Sequence, residues 1–274
     1  EVHFQIEGRS GRVFLGPERV LPVCLAALDQ PQIVHEALDA QLKSTLPAEY
    51  DGRFVRKTTA KDPGDFAERD KQLWLKLTDV FQSMGQVLNN RLEAQTLSRL
   101  VSRGLAQIAA LTPSDASHVL DYTEVWDKGA AEKALLLFGR RRTGAGVQLG
   151  ADARELAQKV VDQLTLQTSL VLLEAAFVEE ETDFGVPAPT LASHPLFQKG
   201  LSCHRGILKI DTGLNVPVVG LGASASTYYP PVGHRLMCEM ILPSHAGVAN
   251  AIGAVVGRVT MRACEIITSP SEGH

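Results

Sequence analysis

The most constraining feature of the sequence is the order of elements that its last third predicts. Residues 216–256 read VPVVGLGASASTYYPPVGHRLMCEMILPSHAGVANAIGAVV. Two apolar runs, 216–221 and 239–242, are followed by helical patterns at about 227–237 and from Ser244 onward. Alternating strands and helices predict a parallel sheet with right-handed crossovers. We therefore expect an α/β fold here, with a buried strand over 216–221 and Ser244 capping the last helix.

The preceding part of the chain predicts a mostly helical section that opens with a β-hairpin. Residues 2–15 alternate apolar and polar side chains around glycine-containing turn residues, which is typical of a hairpin. Short strands are predicted at 52–60 and 105–111. Apolar stripes at helical spacing predict helices at 31–44, 64–103 (two helices divided at Gly85), 113–120, 127–139 and 151–180.

The segment TPSD, Thr112–Asp115, carries a helix-start signature. Thr112 is a good N-cap residue, Pro113 suits the first helical position, and Asp115 stands three residues after the cap, as in a capping box. Capping is a sufficient reason for Asp115, so we assign it no role as a catalytic base.

Composition excludes several classes of partner. The 274-residue chain has a formal net charge of −4, so it lacks the basic surplus that neutralises phosphates, and we expect no nucleic-acid partner. We find no apolar run of the ~18–20 residues that cross a bilayer, and expect no membrane partner. The cysteines include no C-x-x-C pair. We expect Cys24, Cys203, Cys238 and Cys264 to be reduced thiols, and we expect the protein to be cytoplasmic.

Domain organisation is predicted from the arginine- and glycine-rich segment GRRRTGAG at 139–146. We interpret it as a solvated helix end and a mobile linker, with a phosphate or acidic-partner contact as the alternative. The prediction is a mixed, largely helical section over 1–148, an α/β lobe over 149–258 and a strand or linker over 259–274. Because the chain opens at Glu1 directly in a strand-like segment, we interpret it as a piece of a longer protein.

The small-residue turn that follows Val219 allows three interpretations. Gly220, Gly222 and Ala225 match the G-x-G-x-x-G/A pattern of dinucleotide-binding folds, and Glu239 lies at about the right distance downstream. Two prolines at 230–231 argue against this, because they delay the helix, and the acid stands at the beginning of its strand. The second interpretation is a tight turn that needs small residues only for packing.

The third interpretation joins this turn to the slender helix that follows Ser244, whose small residues permit close backbone approach. Four segments, LGPERVLPVCLAA, LTPSDASHVLDYTEVWD, VVGLGASASTYYPPVGHRL and PSHAGVANAIGAVVGRVTMR, together resemble the hydantoinase/oxoprolinase family in their order. The resemblance covers most of the chain. It implies half of an actin-like, ribonuclease H-like ATPase fold preceded by a mostly helical section.

The resemblance also implies an activity. Family members open hydantoin or 5-oxoproline rings with ATP, and relatives carboxylate ketones such as acetone. It implies ATP and Mg²⁺ as cofactors, a small cyclic amide as substrate, a second catalytic subunit as a further partner, and an oligomer. The D-x-G-G-T phosphate motif of the family does not occur in this sequence. The match therefore implies an adenosine side alone, with catalytic residues and metal ligands elsewhere and little activity in this chain by itself.

The residues that the resemblance assigns to adenosine fall into two groups. The turn supplies Gly220, Gly222, Ala223 and Ser224. The connecting helix supplies Ala249, Asn250 and Gly253. A non-catalytic scaffold of the same fold and a nicotinamide-dependent oxidoreductase are the alternatives.

Three further motifs have simpler interpretations. The triplet Asp211–Gly213, DTG, is typical of half an aspartic-protease site, but a turn explains it better because no second copy occurs. Tyr228 and Tyr229 suit either stacking on a base or the core. The last-third histidines lack a metal-binding spacing and carry no metal prediction; they are His194, His204, His234 and His245.

Overall fold

A computed structural model describes residues 1–59, 64, 67–180 and 182–257. These residues form a mixed α/β fold in which helices surround several small sheets. The helices are α1 (Val23–Asp29), α2 (Pro31–Lys43), α3 (Glu68–Lys76), α4 (Met84–Val87), α5 (Arg91–Ser102), α6 (Pro113–Val119), α7 (Lys128–Gly139), α8 (Ala153–Glu179), α9 (Ala188–Ser193), α10 (Pro195–Leu201), α11 (Ala225–Leu236) and α12 (Ala249–Val256), with a 3-10 turn at Ala246–Val248. The strands are β1 (Val2–Glu7), β2 (Ser10–Leu15), β3 (Phe54–Lys57), β4 (Gln82–Ser83), β5 (Ala106–Ala109), β6 (His204–Arg205), β7 (Lys209–Ile210), β8 (Val218–Val219) and β9 (Met240–Ile241).

The strands pair in four small sheets within the described residues. β1 and β2 form the predicted hairpin, with Val2 opposite Leu15. β3 lies between β4 and β5 in an antiparallel sheet, and β6 pairs with β7. β8 and β9 are parallel and flank α11, which confirms the predicted strand–helix–strand unit. The predicted strand or linker over 259–274 lies outside the described residues.

The largest core joins the hairpin to the helices α1, α2, α6 and α7 and to the first half of α8. Alanines on these helices permit close packing, as Ala27, Ala116 and Ala131 are fully buried. Leu156 and Val160 of α8 belong to this core, although the predicted lobe begins at residue 149. The boundary near residue 148 stays a prediction.

The second half of α8 supports a different cluster. Leu173 packs with Val232 and Leu236 of α11 and with side chains of α9 and α10. The side-chain oxygen of Gln167, between the two halves, accepts a 2.8 Å hydrogen bond from the backbone of Leu15. α8 therefore ties the parallel unit to the first core.

The prediction of two helices over 64–103 is wrong in its middle part. Gly85 lies inside the short helix α4 instead of dividing two helices, and strand β4 precedes it. Gln82 and Ser83 pair with β3. Sheet hydrogen bonding, which involves residues distant in sequence, overrides the local helical pattern here.

The arginine- and glycine-rich segment forms a turn on the hairpin instead of a mobile linker. The N–H of Ala145 donates to the carbonyl of Arg9 at 2.8 Å, and Thr143 donates to Val147 at 2.8 Å. Arg142 pairs with Gln148 in an isolated bridge. The two turns hold each other through backbone hydrogen bonds, which sequence spacing does not reveal.

Helix α8 is long and apolar enough to cross a membrane by length and composition alone. The prediction from apolar runs did not register it, since Asp162 and other polar residues interrupt the pattern. In the structure Leu156, Val160 and Leu173 of this helix are buried against other elements of the chain. Val171 and Val178 of the same helix are exposed, so the chain covers only part of its apolar surface.

Candidate functional site

The candidate site lies at the end of strand β8. The N–H of Val218 donates to the carbonyl of Glu239 at 2.9 Å, and the strand runs parallel to β9 for two residues. The predicted buried strand over 216–221 is wrong in length and burial, since Val216 is 61% exposed and Val219 is 54% exposed. Pro217 offers no N–H, and helices pack on only part of this two-stranded sheet.

Residues Gly220–Ser224 form a bend that connects β8 to α11. The N–H of Gly220 donates to Ile241 of β9 at 2.9 Å, and the N–H of Gly222 donates to the carbonyl of Ala246 at 2.8 Å. The bend is thereby fixed to the segment that follows β9. The two segments that the sequence joins into one site are in direct contact.

The two glycines of the bend serve different purposes. A Cβ on Gly220 would lie 2.6 Å from Cδ2 of Tyr229 and 2.7 Å from Cδ2 of Leu242, so this glycine permits close packing. Gly222 has a φ of +116°, and a Cβ there would meet no atom of the described residues within 4 Å. Gly222 therefore meets a backbone requirement while leaving open space beside the chain.

The other predicted adenosine residues are accessible to different extents. Ala223 and Ser224 are exposed on the bend, and Asn250 and Gly253 are exposed on α12, while Ala249 is half-buried.

The contact between bend and connecting segment runs through the 3-10 turn before α12. A Cβ on Gly247 would lie 3.9 Å from Cα of Ala223. The predicted capping role of Ser244 is wrong, because the 3-10 turn after His245 precedes the helix and Val248 holds the N-cap position of α12.

Helix α11 begins at Ala225, immediately after the bend, and contains Pro230 and Pro231. The expectation that these prolines delay the helix is therefore wrong. Each proline removes one N–H donor from the helix. The carbonyl of Ser226, an exposed residue, therefore lacks the helical hydrogen bond that residue 230 would normally donate. Glu239 precedes β9 and so lies at the end of the strand remote from the bend, which deprives the dinucleotide interpretation of its ribose ligand.

An apolar cavity of about 270 Å³ adjoins the bend. It lies between α8, α11 and the parallel strands, and its lining includes Thr168, Leu172, Gly220, Leu221 and Tyr229. Sequence reasoning missed Thr168 and Leu172, because a helical stripe does not show which part of a long helix borders a cavity.

Tyr228 links the start of α11 to helix α6. Its hydroxyl oxygen lies 2.6 Å from Oγ of Ser117. Burial raises the pKa of Tyr228 above its ordinary value, and the hydrogen bond with Ser117 acts in the opposite direction. Tyr228 therefore reaches α6, while Tyr229 packs on Gly220 and lines the cavity.

The TPSD segment forms the predicted capping box, and Asp115 is fully buried. Oδ2 of Asp115 accepts from the N–H and the hydroxyl of Thr112, each at 2.8 Å. Oδ1 accepts from the N–H of Cys24 in α1, also at 2.8 Å. Burial raises the pKa of the Asp115 carboxyl, and these hydrogen bonds oppose the shift. One carboxylate therefore caps two helices.

Cys24 and His118 beside this carboxylate do not form a nucleophile–base pair. Nδ1 of His118 lies 2.7 Å from the carbonyl of Ser114, to which it donates, and Nε2 accepts from the N–H of Trp126 at 3.1 Å. With both ring nitrogens engaged, the imidazole cannot take a proton from Sγ of Cys24 at 3.9 Å. Burial raises the pKa of the Cys24 thiol, which keeps it protonated.

Among the described residues, no three His, Cys, Asp or Glu side chains converge as a metal site. Asp211 of the DTG triplet pairs with Arg205 at 2.6 Å on the surface. Gly213 of the same triplet packs against the carbonyl of Leu236. The triplet therefore forms a surface turn.

No protein-family model, curated protein or solved structure matches this chain.

Proposed function

We propose that this chain is part of an ATP-dependent cyclic-amide hydrolase of the hydantoin or 5-oxoproline type and forms the adenosine side of an actin-like, ribonuclease H-like ATPase site. The observation that carries the proposal is the open Gly220–Ser224 bend. It stands at the carboxyl ends of two parallel strands, where ligands of open α/β sheets bind. The bond from Gly222 to Ala246 holds the bend and the connecting segment together.

The residues around the bend fit the sugar-and-base end of a nucleotide. Gly222 presents backbone without a side chain, and the exposed hydroxyls of Ser224 and Ser226 can donate to or accept from ribose hydroxyls. The adjoining cavity offers the apolar surface of Leu172 and Tyr229 to a planar base. Gly220, which is enclosed by side chains, would shape the bend without touching the nucleotide.

ATP would supply the phosphoryl group that turns the oxygen of an unstrained lactam into a leaving group. The task of the described residues is to bind and orient the nucleoside. Ligands for Mg²⁺ and catalytic groups would come from residues other than those described. We therefore expect nucleotide binding by the 274-residue chain with little or no turnover of 5-oxoproline or hydantoin.

A titration with a fluorescent ADP derivative tests the proposal. Ser224→Trp fills the exposed side of the bend and should abolish binding. Gly222→Val should do the same, because it places a side chain in the open space and strains a backbone at φ +116°. The control is Gly146→Val, at another open glycine with φ +79° in the turn beside the hairpin.

Unlabelled adenosine should displace the probe from the unmodified chain and from Gly146→Val. Equal binding by all variants, or no saturable binding by the unmodified chain, would refute the adenosine site. ATP-dependent ring opening by this chain alone would contradict the expected lack of activity.

A non-catalytic docking role is the second candidate, favoured by exposed apolar side chains on the bend and on α12. Leu221 is 53% exposed, Ile252 is 42% exposed and Val255 is 85% exposed. Under this alternative, Ser224→Trp changes only the free energy of unfolding, and the chain shows no affinity for nucleotide. A parallel titration with NADH tests the remaining oxidoreductase alternative.

A further inference from the structure

A second cavity lies away from the bend, between α1 and the three-stranded sheet. Its volume is about 480 Å³, within the range of small-molecule sites. The side chains that matter for its chemistry are Leu25, Leu28, Asp29, Arg56, Phe81 and Gln107.

The guanidinium of Arg56 is held from three directions at this cavity. Its Nε and Nη2 donate to Oε1 of Gln107 at 3.1 and 3.0 Å, and Nη1 donates to Asp29. Its central carbon lies 4.4 Å from the centroid of the Phe81 ring. Arg56 and Gln107 are direct cross-strand partners on β3 and β5. The polar edge of the cavity is therefore preorganised.

Donor groups remain available along that edge. Arginine carries five N–H donors, and within the described residues the side chain of Arg56 donates only to Gln107 and Asp29. Because Oε1 of Gln107 accepts from Arg56, the orientation of the amide is set, and its NH₂ group has no acceptor in the described part of the chain. The carboxylate of Asp29, which is 53% exposed, supplies an acceptor nearby.

We propose that this cavity binds a small planar ring with adjacent carbonyl and N–H groups, a cyclic amide or imide. The ring carbonyl accepts from the NH₂ of Gln107 and from Arg56, the ring N–H donates to Asp29, and the ring face packs on Leu25 and Leu28. The choice of this ligand class rests on the proposed function. The binding geometry does not involve the nucleotide bend.

The competing explanation is that Arg56 only pins α1 to the sheet. Gln107→Glu separates the two roles. Glutamate still accepts from Arg56, so the attachment of α1 to the sheet through Arg56 and the stability of the chain are retained. It removes both free donors and places a negative charge against the ring carbonyl, so ligand binding is lost. The matched control is Gln5→Glu, because Gln5 also lies opposite an arginine, Arg12, in the hairpin.

The test measures 5-oxoproline and hydantoin binding to the 274-residue protein by calorimetry, with proline as a ligand that lacks the ring carbonyl. We expect saturable binding of the two cyclic amides, at least tenfold weaker in Gln107→Glu and unchanged in Gln5→Glu, with no lower melting temperature in Gln107→Glu. Leu28→Trp, at a rim position 55% exposed, should also weaken binding by narrowing the cavity.

No saturable binding of either ring to the unmodified chain would overturn the inference, as would equal affinity in Gln107→Glu and Leu28→Trp. The inference and the proposed function fail separately. Ring binding without nucleotide binding refutes the adenosine site and leaves this cavity assigned. Nucleotide binding without ring binding does the reverse. Gly222→Val should leave ring affinity unchanged.

Discussion

Two strand-to-helix turns in this chain have opposite properties. The first leads from β5 through TPSD into α6, and the second leads from β8 through the Gly220–Ser224 bend into α11. In the first turn Asp115 accepts from backbone donors of its own helix and of α1. In the second, Ser224 holds the N-cap position without a side-chain cap bond to the described residues.

The difference is whether the backbone N–H donors at the start of a helix are satisfied by the protein itself or stay available for a ligand. A buried carboxylate occupies the donors of the first turn with protein atoms, so no ligand has room there. The second turn has small residues and exposed backbone, as at Ala223. A hydrogen bond between Ser117 of α6 and Tyr228 of α11 joins the helices that follow the two turns, so α6 helps to hold the helix that starts at the open turn.

We expect the largest loss of stability when the Asp115 carboxylate is removed from the TPSD turn. Asp115→Ala leaves the buried donors of Cys24 and Thr112 without an acceptor. Each unsatisfied buried group costs about 1–3 kcal/mol, so we expect a loss of at least about 3 kcal/mol in the free energy of unfolding. Urea denaturation followed by circular dichroism measures it.

The control for this variant is Asp152→Ala. Asp152 caps α8 by accepting from the N–H of Glu155 at 2.8 Å, but it is exposed. Removing an ordinary cap costs about 1 kcal/mol. If both alanine variants lose the same small amount, the contrast between a shared buried carboxylate and a simple cap is wrong.

Local signals were sufficient for part of this comparison. The capping box could be predicted because its residues are three positions apart, and the hairpin and α8 follow from periodicity. The bond from Cys24 to Asp115 spans 91 residues, so no spacing rule reveals it. The same holds for the pairing of Arg56 with Gln107, which depends on strand register.

The surroundings of the two glycines in the bend could not be predicted from the sequence. Gly220 and Gly222 look equivalent in the sequence, yet one is enclosed by Tyr229 and Leu242 and the other is open. Burial of the strand over 216–221 was overestimated for the same reason, because cover comes from elements distant in sequence. The direct contact between the bend and the residues after β9 followed from the order of motifs, whereas the two cavities did not.

We expect a moderate loss of stability when the hydrogen bond between Tyr228 of α11 and Ser117 of α6 is removed. Tyr228→Phe removes the hydroxyl partner of Ser117 and should cost about 1 kcal/mol at neutral pH. Because burial raises the pKa of Tyr228, its neutral form stabilises the fold below the ordinary value near 10, and this contribution is lost as the pH rises through the folded-state pKa. The wild-type chain should lose stability above pH ~10 relative to Tyr228→Phe.

Unfolding titrations of both proteins between neutral and alkaline pH check this expectation. Tyr122→Phe, at a tyrosine that is 50% exposed, serves as the control for general alkaline effects. A difference between wild type and Tyr228→Phe that stays constant across the range would contradict the burial of the phenol.

The smallest effect concerns the ends of the two helices. α6 is followed by Asp121 with φ 62°, and α11 is followed by Met237 with φ 53°, both in the left-handed region. Aspartate adopts this region at a lower cost than methionine does, so Met237→Gly should stabilise the chain by up to about 1 kcal/mol. Asp121→Gly should give no gain, because it also removes the ion pairs with Lys128 and Arg154. Thermal melts of the two variants check the order, and a larger gain in Asp121→Gly would show that backbone conformation outweighs the ion pairs at the end of α6.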